Sequence, residues 1–100
     1  MSRVLIERRL FDVAQRLKRA REELAVIEEQ LSVLSEAADE ARIRSLVSET
    51  PLAHREYVEA QRHADAMERS RRAVEADVVE LSATQDELLD RLVGSDQTDA

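Results

Sequence analysis

Ser48-Glu49-Thr50-Pro51 interrupts an otherwise continuous helical pattern, and its reading decides the fold. Proline is well tolerated as the first residue of a helix, where its missing N–H would have had no partner anyway. A threonine just before it can accept a hydrogen bond from the first free backbone donors. The four residues therefore read as the end of one helix and the start of the next. Helix 1 is expected over about 3–47, the turn over 48–51 and helix 2 over about 51–93. Ser2 is a plausible cap for helix 1, and Gly94 suits a helix stop, leaving 95–100 as a flexible polar tail.

Outward from the turn, both flanks carry heptads. Leu10, Leu17, Leu24, Leu31 and Ala38 recur every seven residues, interleaved with Ile6, Val13, Ala20, Ile27, Leu34 and Ala41. This is an a/d seam of the kind that buries one stripe of a helix against a partner. Beyond Pro51, Tyr57, Ala64, Arg71, Val78, Gln85 and Leu92 occupy a, and Ala53, Ala60, Met67, Val74, Leu81 and Leu88 occupy d. The two tracts are out of phase. Continuing the first across the turn would place Leu52, Glu59 and Ala66 at a, so one unbroken helix would swing its seam away from any partner.

Antiparallel pairing requires facing residues to have numbers of constant sum, and every a/d layer obeys a sum of 98. From the open end these layers are Ile6 with Leu92, Leu10 with Leu88, Val13 with Gln85, Leu17 with Leu81, Ala20 with Val78 and Leu24 with Val74. Towards the turn they become Ile27 with Arg71, Leu31 with Met67, Leu34 with Ala64, Ala38 with Ala60, Ala41 with Tyr57 and Ser45 with Ala53. The fold class is therefore all-α: a long antiparallel two-helix coiled-coil hairpin over 1–94. A buried large aliphatic side chain stabilises by about 1.5 to 3 kcal/mol and an alanine by far less, so the half nearer the turn should open first. The same layers could also be satisfied between two chains that exchange helices.

Two strongly polar residues interrupt the seam. Arg71 and Gln85 read as register-setting residues, which fix alignment at some cost in stability. Arg71 is long enough to carry its guanidinium out towards Glu23, Glu75 or Asp77 while its stem covers Ile27.

A two-helix hairpin has one thin seam, so apolar residues outside it mark surfaces. The b and e positions of both helices share one side, the c and g positions the other. On the b/e side near the open end lie Val4, Phe11, Ala14, Val79, Leu89 and Val93. On the c/g side near the middle lie Val26, Val33, Ala37, Ala66 and Ala73, with Leu5 further down. These groups, at helical spacing and matching heights, point to protein–protein contact. The preferred reading is a homodimer in which two hairpins form a four-helix bundle; the competing one is docking of a helix from a further protein partner. Leu46, Val47 and Leu52 flank the turn and are expected to pack across it as a plug, or else to serve as a recognition tip.

Charge is segregated along the chain. Residues 1–21 hold Arg3, Arg8, Arg9, Arg16, Lys18, Arg19 and Arg21 against Glu7 and Asp12, a balance of +5. Residues 77–100 hold Asp77, Glu80, Asp86, Glu87, Asp90, Asp96 and Asp99 against Arg91, a balance of -6. The simplest reading is mutual compensation when the chain folds back. A sharper one makes Arg16-Leu-Lys-Arg-Ala-Arg21 a nucleic-acid or anionic-membrane patch, but no aromatic residue interleaves the cations and the net charge is -7.

Composition excludes more than it identifies. No cysteine removes disulfide scaffolds, thiol catalysis and thiolate metal sites. With one glycine there is no phosphate-cradling loop, and the serines lack an oriented histidine and acid. Glu59 and His63, with His54 and Glu56 nearby, are the best metal-like cluster, yet a di-metal bundle needs inward carboxylates and two Glu-x-x-His elements. No catalytic residue, metal or cofactor is therefore expected. No 18-residue apolar run exists, and Met1 to Leu10 lacks the apolar core of a secretory signal, so a soluble cytoplasmic chain with no membrane contact is expected.

In outline the hairpin is similar to the coiled-coil factors that enter the RNA polymerase secondary channel with acidic residues at the tip. Here the tip holds Glu49 alone, with Asp39 and Glu40 set back by about two turns, so metal coordination in a polymerase does not carry over. It is also similar in length to small secreted hairpins of the WXG type, but has no tryptophan. Two functional readings follow. One is a non-enzymatic interaction or adaptor module in a larger assembly; the other is a regulatory factor whose tip or basic stretch engages a transcription or other nucleic-acid machine.

Overall fold

The computed structural model of the chain describes the backbone of residues 2–99 and the side chains of residues 2–95. Two helices, α1 (Arg3–Ser48) and α2 (Pro51–Asp99), hold all of these except Ser2, Glu49 and Thr50. The all-α helical hairpin expected from the heptads is the fold. Every a and d position from Ile6 to Ser45 and from Ala53 to Leu92 is buried or half-buried, whereas most positions off the seam are exposed.

The chain packs as two units. One joins residues 1–23 to residues 74–100, and the other is residues 24–73. In the first, Ile6, Val13 and Leu88 form a buried cluster against which Leu10, Leu81 and Leu92 pack, the large-against-large layering of the register. Leu17 is only 2% exposed there. In the second, the buried residues are Ile27, Ala38, Ala41 and Ala64, so small side chains make most of its core. Alanine layers let two backbones approach closely but remove little apolar area from water.

Both helix starts are capped by the residues the sequence offers. Ser2 Oγ accepts from the Leu5 amide at 3.3 Å, and Thr50 Oγ1 accepts from the Ala53 amide at 3.1 Å. The Thr50 carbonyl accepts the first α2 bond from His54 N–H at 3.1 Å, with Pro51 as the first helical residue. At the end of α1, Glu49 adopts φ 50° and its N–H donates to the Ser45 carbonyl at 3.1 Å. This is the left-handed reversal that glycine usually fills, and a residue with a Cβ holds it at roughly 1–2 kcal/mol.

Two expectations are corrected. α2 does not stop at Gly94 but continues to Asp99, and Gly94 has no positive φ. One glycine costs a helix only about 1 kcal/mol against alanine, too little to end it where no reversal is required. Of the segment 95–100, the side chains beyond Ser95 lie outside the described residues. Nor do Leu46, Val47 and Leu52 plug the turn: they stand 65%, 79% and 60% exposed. They occupy b and c positions, which point off the seam, and a connection of Glu49 and Thr50 alone is too short to cover them.

Candidate functional site

The two sides of the hairpin differ in chemistry, and each unit has its own surfaces. In the unit of residues 1–23 and 74–100, the c/g side is an open groove lined by Arg8, Arg9, Arg16 and Arg19 together with Asp12, Glu23, Asp77 and Glu80. Four cations thus meet four carboxylates around the seam residues Val13, Ala20 and Leu81. Arg8, Arg9, Arg16 and Arg19 of the N-terminal basic block share this groove with Asp77 and Glu80 of the C-terminal acidic one. Arg16 Nε also pairs with Asp12 Oδ2 one turn away, at 3.3 Å. Lys18 and Arg21, at b and e, belong to the opposite side, so the run Arg16 to Arg21 is not gathered on one face.

The b/e side of the same unit carries the apolar group read from the sequence. Val4, Phe11, Val79, Leu89 and Val93 are all exposed, Phe11 most of all at 69%.

In residues 24–73 the c/g side changes character. Val26 and Val33 are exposed, as are Ala37, Ala66 and Ala73. Gln30 and Ser70 fill c and g positions between them and His63 lies level with Ser35, so the stretch from Val26 to Ala37 holds no formal charge in a chain that is 37% charged, while Glu40, Arg44, Glu56 and Glu59 bound it towards the turn. Near the turn, Leu46, Val47 and Leu52 are joined by Ile43, 54% exposed, which the sequence reading missed. Ile43 occupies an f position, farthest from the seam, and attention to the seam and its flanks passed over it. Its signal was local: it precedes Leu46 and Val47 by three and four residues, which sets all three on one face of α1.

Of the polar seam residues, Arg71 is held by a neighbour on its own helix. Arg71 donates from Nε to Glu68 Oε2 at 2.9 Å and from Nη2 to Oε1 at 2.8 Å, a two-pronged pair on its own helix. Arg72 Nε adds a third bond to Oε1 at 3.1 Å. The hydrogen bonds from Arg71, opposed by partial desolvation and joined by those from Arg72, hold the Glu68 carboxyl down at about 2. Glu68 and Arg72 are the residues of this cluster that sequence reasoning did not name. Gln85 is half-buried in the seam, and no described buried polar side-chain atom lacks a hydrogen bond.

Among the described residues, the histidines and their neighbouring carboxylates do not converge on one site. His54 meets Tyr57 edge-on at 6.5 Å, and His63 lies with Glu59, Arg55 and Arg62 along an exposed strip of α2. Among the described residues no three His, Asp or Glu side chains come together to hold a metal ion. No described helix is long and apolar enough to cross a membrane. Compared with known proteins, the chain matches no family model, no curated protein and no solved structure.

Proposed function

We propose that the chain is a non-enzymatic coiled-coil interaction module that acts in the cytoplasm through protein–protein contacts, and that two copies associate into a four-helix bundle. The observation that carries this reading is the set of large apolar side chains left exposed once the seam is closed. Val4, Phe11, Val26, Val33, Val79, Leu89 and Val93 lie on the two flanks at helical spacing rather than scattered singly. A lone two-helix seam is also thin support for 100 residues, and bundles bury a wider stripe of each helix. The strongly perturbed Glu68 is accounted for by its ion pairs, with no substrate needed.

The exposed tip favours a second reading, in which Ile43, Leu46, Val47 and Leu52 present the hairpin end to a further protein, a transcription or other nucleic-acid machine included.

Light scattering coupled to size exclusion, over a hundredfold range of concentration, tests self-association. The expected result is a mass rising to two chains. A single-chain mass throughout would remove the bundle and leave recognition of a different protein.

A further inference from the structure

Resting on the self-association reading, we infer that the second copy docks on the charge-free middle stretch of the c/g face of residues 24–73, between Val26 and Ala37 on α1, with the two hairpins parallel, so that α1 of each lies on α2 of the other. The face supplies the contact and the flanking charges supply the orientation.

Val26, Val33, Ala66 and Ala73 are exposed side by side on this face. Its uncharged part runs from Val26 to Ala37 along α1, about 17 Å at 1.5 Å per residue, and is two helices wide, roughly 20 Å. That footprint is well under the roughly 800 Å² per partner of a standard interface, so its rim must contribute.

The rim is where the two helices differ. The f positions, which point away from the seam, are Glu29, Glu36 and Ile43 on α1 but Arg55, Arg62 and Arg69 on α2. All six are exposed. With helix axes about 10 Å apart and side chains reaching outward on either flank, the two rows stand about 20 Å apart or more within one hairpin. They are too distant to neutralise each other there. The constant sum of 98 nevertheless sets Glu29 level with Arg69, and Glu36 level with Arg62.

A two-fold axis parallel to the helices exchanges the flanks without changing height. It brings Glu29 and Glu36 of each copy to Arg69 and Arg62 of the other, twice over by symmetry. An axis across the helices would instead lay the glutamate row on a glutamate row and the arginine row on an arginine row, and the repulsion rejects it. The apolar footprint is small and the ion pairs are solvent-exposed, so the dimer is expected to dissociate in the micromolar range and to weaken as salt rises.

Charge exchange tests this on the full chain. Glu29→Arg with Glu36→Arg makes both flanks basic, and Arg62→Glu with Arg69→Glu makes both acidic. Each double variant alone should dissociate at least tenfold more readily than the unaltered chain. An equimolar mixture should form a heterodimer, and the chain carrying all four changes should dimerise again. Recovery in those last two cases shows that the variants fold, and circular dichroism at each step shows the helices intact. Orientation is read by placing Glu36→Cys in one copy and Arg62→Cys in another, in a protein that has no cysteine of its own. A short bis-maleimide should join 36 to 62 in the mixture and give little 36-to-36 product. If the double variants dimerise like the unaltered chain, or if 36 joins 36, the docking mode is overturned while self-association stands. If the unaltered chain is a single copy at every concentration, the bundle itself falls with it.

Discussion

Glu68 shows how one side chain settles a question that position alone leaves open. The seam pattern places Arg71 in a buried layer and asks where its charge goes; the answers suggested by register were Glu23, Glu75 and Asp77. Helical side chains lean back towards the N-terminus, so the reach of Arg71 runs over the preceding turn, where Glu68 waits at i−3. A heptad plot records faces and heights but not this lean, which is why Glu68 was not legible as a partner. The pair has a pH signature. Because the folded carboxyl is held at about 2, below its ordinary 4.5, its contribution is complete above pH 4.5 and is lost as pH falls towards 2. Glu68→Gln should therefore melt below the unaltered chain at pH 7, and the gap should narrow between pH 4.5 and pH 2. Thermal unfolding followed by circular dichroism across that range checks it; a gap of constant size would mean that the carboxylate charge is not what stabilises.

Helices α1 and α2 were nearly complete in the sequence because periodicity and capping agree. The a/d seam was readable to the residue, since burial in a two-helix fold has only one place to happen. Ser2, Thr50 and Pro51 announced the starts by chemistry that works locally. The C-terminal end of α2 misled because a glycine permits a stop without compelling one. At the other boundary Glu49, which has no special freedom, takes the left-handed turn that Gly94 does not. Surfaces were legible as lists of exposed apolar residues, Ile43 excepted, but their exposure at the tip was not, because it depends on how short the connection is. Gly94 also offers a direct measurement. A Cβ there would meet nothing within 4 Å, so Gly94→Ala should stabilise the helix by up to about 1 kcal/mol, read as a higher urea midpoint. A lower midpoint would show that the position needs the freedom of glycine after all.

Taken whole, the chain divides its stability unevenly. Ile6, Leu17 and Leu88 are buried in the unit of residues 1–23 and 74–100, whereas Ala38, Ala41 and Ala64 make most of the buried set in residues 24–73. Local opening follows buried apolar area, so amides near the turn should exchange with solvent sooner than those around Leu10 and Leu88. Hydrogen exchange read by mass spectrometry after short incubations checks this; uniform protection would mean that the hairpin opens only as one piece. A second copy seated on Val26 and Val33 would cover the weaker half, so protection there should rise with protein concentration while that around Leu10 stays fixed.

The left-handed Glu49 also governs how copies of this chain can trade parts. In the proposed dimer, an exchange of helices through one straight rod would require residues 48–51 to run on as helix. Pro51 would then sit in a helix interior, where its missing N–H and its clash with the Val47 carbonyl cost about 3 kcal/mol or more, and the Thr50 cap would be lost. That cost disfavours a straight-rod exchange of helices between the two copies of the proposed dimer. Copies of the proposed dimer would then part and find new mates without unfolding, so old and newly made molecules would mix at the pace of dissociation rather than that of refolding.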